Sequence, residues 1–326
     1  CPWKSKGERA FPDLGIVLVF NPQAAGDFDF ALDLGVPFSS LTEAIEPEGR
    51  LYATTEPSKQ VHYPEGKVEE IGQYYRRAIL SGHSILAALP QCRPWNAVEK
   101  WIKDFDPESE KTFGLCGLIS AKNAPGMDGY ALRMEILRRK EEIRIPGIVY
   151  NFQKSWRGEP IPYPIPSKEP ALKHTFHLAI ENCSEPGYFT EKLIDAFAAG
   201  CVPLYYGDPR IGEVFDTRGM ILLDPKDFIN QINALRESDY QSRRGFLREN
   251  FERSKEFWDM DRNLAKALAR ELRPESKAAS GGASLSGQLP SASDIEPNRA
   301  GQTAPISMQA PHVHPAKPSI SICVIT

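Results

Sequence analysis

The stretch Phe176–Gly207, FHLAIENCSEPGYFTEKLIDAFAAGCVPLYYG, decides the fold. Phe176-His177-Leu178-Ala179-Ile180 is a short, nearly continuous apolar run, the pattern of a strand buried in a parallel sheet. Pro186 and Gly187 break the chain into a loop. Thr190 suits the N-cap of a helix, because its hydroxyl can accept from a free N–H of the first turn. Leu193, Ala196, Phe197 and Gly200 recur at helical spacing, which predicts a helix over 190–199 that packs on the sheet and closes at Gly200. Val202-Pro203-Leu204-Tyr205-Tyr206 is the next strand. Strand, helix and strand in so short a span predict a parallel crossover.

Ligands of open parallel sheets lie outside the carboxyl ends of the strands, which is where Glu181 and Asn182 stand. The predicted helix start carries Glu191 and Lys192 in its first turn. Free N–H groups and partial positive charge suit a phosphate there, and Lys192 adds a full charge. Geometry alone fits an ordinary capped surface helix with a solvated Glu-Lys pair equally well.

Outward from this stretch, short apolar runs alternate with helical patterns. Gly15–Phe20, Ser84–Leu89 and Phe113–Ile119 read as strands, and 68–80 has near-helical spacing. Tyr130–Ile143 and Asp259–Leu272 read as helices, and Met220–Leu223 as a strand. At roughly 100–200 residues per domain, 326 residues suggest two α/β domains. We place them at 1–122 and 123–272. Residues 273–318, rich in Ala, Ser, Gly and Pro and lacking aromatic residues, are expected to be a disordered linker. Ile320-Ser321-Ile322-Cys323-Val324-Ile325-Thr326 reads as the first strand of a further, truncated domain over 319–326. The chain opens on Cys1 rather than Met, as a fragment or processed chain would.

Composition excludes several classes. A net charge of -4 argues against a nucleic-acid binder. No run approaches the ~20 apolar residues of a membrane-spanning helix. Six scattered cysteines without a C-x-x-C pair support neither a zinc site nor a thioredoxin-like motif, and suit a reducing compartment. No Gly-x-Gly-x-x-Gly or Gly-x-Ser-x-Gly is present. Asp104-Phe105-Asp106 lies in a polar stretch and reads as solvated, so no metal is expected. His177 alternates within its strand and reads as a structural histidine, while His312 and His314 read as incidental.

The wording of the central stretch narrows the reading. Ile180-Glu181-Asn182, then Tyr188-Phe189-Thr190-Glu191-Lys192, then Val202-Pro203 and Gly207 resemble the donor-binding motif of the family 10 glycosyltransferases, the α-1,3/1,4-fucosyltransferases, in bacterial form. The likeness continues through Asp208-Pro209-Arg210-Ile211, Phe215 and Asp224–Phe228. Upstream, Ser120-Ala121-Lys122 with Arg133 resembles the family's Ser-x-Lys … Arg stretch, although Ala121 departs from the usual Asn. Thr55-Glu56-Pro57 resembles the family's Gly/Cys-Glu-Asn/Pro turn, with Tyr63-Pro64 downstream.

The resemblance implies a GT-B-like fold: two Rossmann-like domains facing across a cleft. It implies an inverting transferase that moves L-fucose from GDP-fucose to a glycan hydroxyl, as in protein glycosylation or glycan biosynthesis, with a GDP-sugar and a glycan as partners and no cofactor. Glu56 would be the general base. Lys122, Arg133, Glu181, Asn182, Tyr188, Thr190, Glu191 and Lys192 would bind the donor, with Arg133 and Lys192 on the diphosphate. A bacterial-type protein would be cytoplasmic or peripheral to the membrane, and a truncated eukaryotic one would lie in the Golgi. The final strand is similar to the start of family 2 glycosyltransferases, implying a C-terminal transferase domain in the parent. The alternatives are another nucleotide sugar on the same fold and a non-catalytic module that binds a nucleotide or glycan.

Overall fold

The computed structural model describes residues 7–23, 28–60, 66–82, 85–102, 105–120, 122, 124–151, 155–156, 168, 172–272 and 319–326. The expected linker 273–318, with His312 and His314, lies outside them, as do Tyr63, Pro64, Asp104 and Ala121. In chain order the strands are β1 (Gly7–Phe11), β2 (Ile16–Phe20), β3 (Phe30–Leu34), β4 (Arg50–Ala53), β5 (Ala78–Leu80), β6 (Cys92–Arg93), β7 (Thr112–Ile119), β8 (Gly147–Asn151), β9 (Ser155–Trp156), β10 (His174–Ile180), β11 (Val202–Tyr206), β12 (Ile221–Leu222) and β13 (Ile320–Ile325). The α-helices are α1 (Ser40–Glu43), α2 (Lys67–Tyr74), α3 (Asp128–Arg138), α4 (Glu191–Ala198), α5 (Phe228–Ala234), α6 (Glu237–Ser254) and α7 (Met260–Leu272).

The strands form two sheets, ordered β1-β2-β13-β3-β4-β5-β6 and β12-β11-β10-β7-β8-β9. Both are parallel except at one edge each, where β1 runs antiparallel to β2 and β9 to β8. Each sheet has its own large apolar core. Two α/β sheets, one per domain, match the GT-B-like architecture expected from the sequence.

The boundaries differ from the expected ones. β7 sits in the middle of the second sheet, between β10 and β8, so the second unit begins before residue 112 rather than at 123. β13 lies inside the first sheet, paired in parallel with both β2 and β3. Ile322, Cys323 and Val324 are buried there. A strand apolar on both faces needs a covered parallel sheet, but that pattern does not say which sheet. The chain also returns to the first unit at α7, whose Leu264, Ala265, Leu268, Ala269 and Leu272 form one buried stripe in the first core. Each fully buried leucine there contributes about 1.5–3 kcal/mol.

Two local readings also change. Residues 68–80 divide into α2 and β5 rather than one helix, with Tyr75 ending α2. In the run 84–89 the described part is a 3-10 turn, Leu86–Ala88, not a strand.

Strand order locates the functional end of the second sheet. From β7 the chain passes to β8 on one side and then to β10 on the other. The carboxyl ends of β7 and β10 therefore flank a topological switch point, where open α/β sheets form their binding crevice. Ser120, Glu181 and Asn182 follow those two ends.

Candidate active site

The donor segment folds as read, with a cap that can be checked atom by atom. The Thr190 hydroxyl accepts from the Lys192 N–H at 3.4 Å and donates to Glu181 Oε2 at 2.8 Å. The Thr190 N–H donates to Glu181 Oε1 at 2.7 Å. Glu181 thus joins the end of β10 to the start of α4. Its side chain is fully buried, and burial pushes its carboxyl pKa up against the pull of Lys192. Glu181 is not among the residues that line the cavity described below, and it serves as an internal strut.

Lys192 Nζ lies 2.9 Å from Thr190 Oγ1, 3.2 Å from Glu191 Oε1 and 3.4 Å from Glu181 Oε2. Burial disfavours this ammonium, but Glu191 and Glu181 outweigh it and raise its pKa. Glu191 is more buried than a first-turn residue off the apolar stripe should be, because α4 is covered nearly all round. Burial would raise the Glu191 carboxyl, yet Lys192 and then Lys168 hold it down at about 2.

α3 closes the crevice from the other side. Gly129 stands so close to the end of β10 that a Cβ there would lie 1.9 Å from the Glu181 carbonyl oxygen. Only glycine allows this approach. Gly129→Ala is expected to cost about 3 kcal/mol or more, since the obstacle is backbone. Thermal denaturation would measure it, and a parent-like Tm would refute the close packing.

Arg133 does not face the cavity. Its Nε donates to the Ile180 carbonyl at 3.1 Å, Nη2 donates to the same oxygen and, at 3.1 Å, to Asn182 Oδ1, and Nη1 reaches Ser120 Oγ at 3.1 Å. These bonds hold the ends of β7 and β10 together, a positioning role at the edge of the crevice. Lys122 is exposed and is not among the cavity residues.

The loop after β4 carries Glu56 and is tied to the second unit through Ser58, Lys59 and Gln60. Ser58 N–H donates to Glu185 Oε2 at 3.0 Å, Lys59 Nζ reaches the Ser184 carbonyl at 3.3 Å, and Asn182 Nδ2 donates to Gln60 Oε1 at 3.1 Å. A cavity of about 100 Å³ lies beside this junction. Thr55 and Glu56 line it from one side, and Asn182, Tyr188, Thr190, Glu191 and Lys192 from the other. Six of the residues singled out from sequence therefore meet in one space: Glu56, Asn182, Tyr188, Thr190, Glu191 and Lys192.

Sequence reasoning missed Ala97, Glu99, Trp101 and Met260, which complete the wall. The first three lie on 94–102, the irregular strap that leads from β6 toward the second sheet; Met260 begins α7, where the chain crosses back. The one available signal was a polar segment with tryptophans at 95 and 101 and no periodicity. Tyr205 packs in the core, and its hydroxyl accepts from the Asp208 N–H at 2.8 Å. Tyr206 donates to Asp128 Oδ2 at 2.8 Å. His177 is buried, 3.3 Å from the Cys116 thiol through Nδ1, and burial lowers its pKa to about 3. It is a neutral structural histidine, as expected.

A crevice at the switch point of one α/β sheet thus faces the Glu56 loop of a second, in the place where open α/β sheets bind ligands. Short stretches of the chain are similar to proteins named as fucosyltransferases. A 58-residue stretch is 36% identical to Alpha-(1,3)-fucosyltransferase FucT of Helicobacter pylori, covering 18% of this chain and 10% of that protein. The match therefore spans about a tenth of the relative's length. A crystal structure of an α1,3-fucosyltransferase with GDP is similar at 16% identity and a TM-score of 0.47, over 78% of this chain and 81% of that one. A second, with GDP-fucose, is similar at 13% identity and a TM-score of 0.44, over 81% and 97%. No family model matches the chain.

Among the described residues no helix is long and apolar enough to cross a membrane.

Proposed function

We propose that this chain is an inverting glycosyltransferase that moves L-fucose from GDP-fucose to a hydroxyl of a glycan. One observation carries the reading: a single cavity sets Glu56 of the first unit opposite Asn182, Tyr188, Thr190, Glu191 and Lys192 of the second. The name of the Helicobacter pylori relative supports the choice of sugar.

In this reading the acceptor oxygen attacks the anomeric carbon from the side of Glu56, which takes the hydroxyl proton. The bond from that carbon to the diphosphate oxygen breaks, and GDP leaves with the electron pair. Lys192 and the partial positive charge of the α4 start stabilise the developing charge. Asn182 and Glu191 hold the nucleotide, with Glu191 accepting from ribose hydroxyls, and Tyr188 packs beside it. Glu181 and Arg133 keep these groups in register from behind.

Calorimetry with GDP, UDP and CDP tests the donor. Preference for UDP or CDP would replace GDP-fucose by another nucleotide sugar, and failure to bind any would favour a non-catalytic module. An acceptor screen with GDP-fucose, read by mass spectrometry, tests the reaction. Glu56→Gln removes the base and keeps the side-chain shape. It is expected to lower transfer by about 10²–10⁴-fold while GDP affinity changes little. Transfer at the parent rate would remove Glu56 from the mechanism.

A further inference from the structure

Among the described residues the cavity wall carries the carboxylates of Glu56, Glu99 and Glu191 and the ammonium of Lys192. Carboxylates suit hydroxyls, which donate to them. The volume is about 100 Å³, beside the roughly 150 Å³ of an apolar cavity that takes one benzene ring. This is the scale of one sugar ring. The phosphates are left to the edge where α4 begins.

Two of the wall residues, Glu99 and Trp101, belong to no motif. They sit on the strap, and the strap is pinned to the donor helix. Asp195, one turn beyond Glu191 on α4, accepts from the Trp101 N–H at 2.8 Å and from the Ile102 N–H at 3.3 Å through the same oxygen. Its other oxygen lies 2.9 Å from Lys168 Nζ, and that ammonium stands 4.3 Å from the centre of the Trp101 ring. Asp195 is only 2% exposed. A buried carboxylate that binds two consecutive backbone N–H groups holds that backbone in one place. A tryptophan ring offers an apolar face of the kind that packs against the C–H face of a pyranose.

We infer that Glu99 and Trp101 bind the transferred sugar itself. Glu99 accepts hydrogen bonds from its ring hydroxyls, and Trp101 packs on its C–H face. Asp195 is the positioning residue that fixes both through the strap. The inference rests on the donor reading above, and adds which residues recognise the sugar as distinct from the nucleotide.

Calorimetry on the full chain with GDP and with GDP-fucose separates the two contributions. In Glu99→Gln and Trp101→Ala, the affinity for GDP-fucose relative to GDP is expected to fall about tenfold. GDP binding by each variant shows that its site is folded. Asp195→Ala is expected to lower the same ratio, and Asp195→Asn to restore most of it, because its Oδ1 still accepts both N–H groups. A structural role alone would change GDP and GDP-fucose together. A parent-like ratio in both Glu99→Gln and Trp101→Ala would overturn the inference and leave the donor reading standing. Failure of the parent chain to bind GDP would overturn the donor reading first.

Discussion

Lys192→Ala is expected to weaken GDP binding by about 2–5 kcal/mol, the range for truncating one partner of a buried charge pair. This corresponds to roughly 30- to 5000-fold in affinity. Among the described residues that line the cavity, Lys192 is the one basic side chain. It is held by Thr190, Glu191 and Glu181 at 2.9–3.4 Å, so its position is fixed before any ligand arrives. Such preorganisation gives a charge its value in catalysis. Retained GDP affinity in the variant would remove the donor site from this cavity.

The same substitution has a stability signature with a definite sign. In the parent, Glu191 titrates near 2, below its ordinary 4.5. A carboxyl lowered in the folded state stabilises the fold above its ordinary value, and that contribution is lost as pH falls through the folded value. Glu181 is raised, so its contribution is present below its ordinary value and lost as pH rises through the folded one. Removing the ammonium weakens the first effect and strengthens the second. Stability of Lys192→Ala is therefore expected to fall less than that of the parent between pH 4.5 and 2. Urea denaturation across that window reads the difference, and parallel curves would show that Lys192 does not set the Glu191 carboxyl.

How much of this site could be read in advance depended on what each residue's neighbours in sequence could reveal. The cap, helix and strand of the donor segment are local, and Thr190, Phe197 and Gly200 announce them. At Gly200 the backbone has φ 71°, and a Cβ would come within 2.1 Å of the Pro107 carbonyl oxygen. The Glu56 turn was also local, and it does reach the cavity. Glu181 and Arg133 make bonds that the sequence does not announce, for a shared reason. A charged residue at the end of a parallel strand suggests a ligand, but the sequence does not show whether the backbone has already claimed it. Here Thr190 engages Glu181, and the Ile180 carbonyl engages Arg133. Glu99 and Trp101 were missed because the strap has no period, and its place is fixed by Asp195, far along the chain. The sheet membership of β7 is likewise a long-range fact, settled by its pairing with β10.

β13 makes the same point at its most consequential. Deleting 319–326 is expected to unfold the first unit rather than trim a tail. The strand lies between β2 and β3, and all five pairs to β2 and four to β3 are lost with it. Ile322 and Val324 are core residues beside Leu18, Leu32, Leu264 and Leu268. Losing two fully buried aliphatic side chains alone costs about 3–6 kcal/mol. That is a large share of a domain's total stability, about 5–15 kcal/mol. The gap also leaves two rows of backbone N–H and C=O groups facing each other across the width of a missing strand, inside a covered sheet. Such groups are expensive to bury without partners. The second sheet keeps its own core and pairings, so circular dichroism of the truncated chain should show partial rather than complete loss of structure. Loss of the first unit also removes Glu56, Glu99 and Trp101 from the cavity, so transfer should vanish while Lys192 remains on a folded helix. A truncated chain with the parent's Tm and activity would mean that 320–325 is no part of the first sheet, and would return it to the separate domain its sequence suggests.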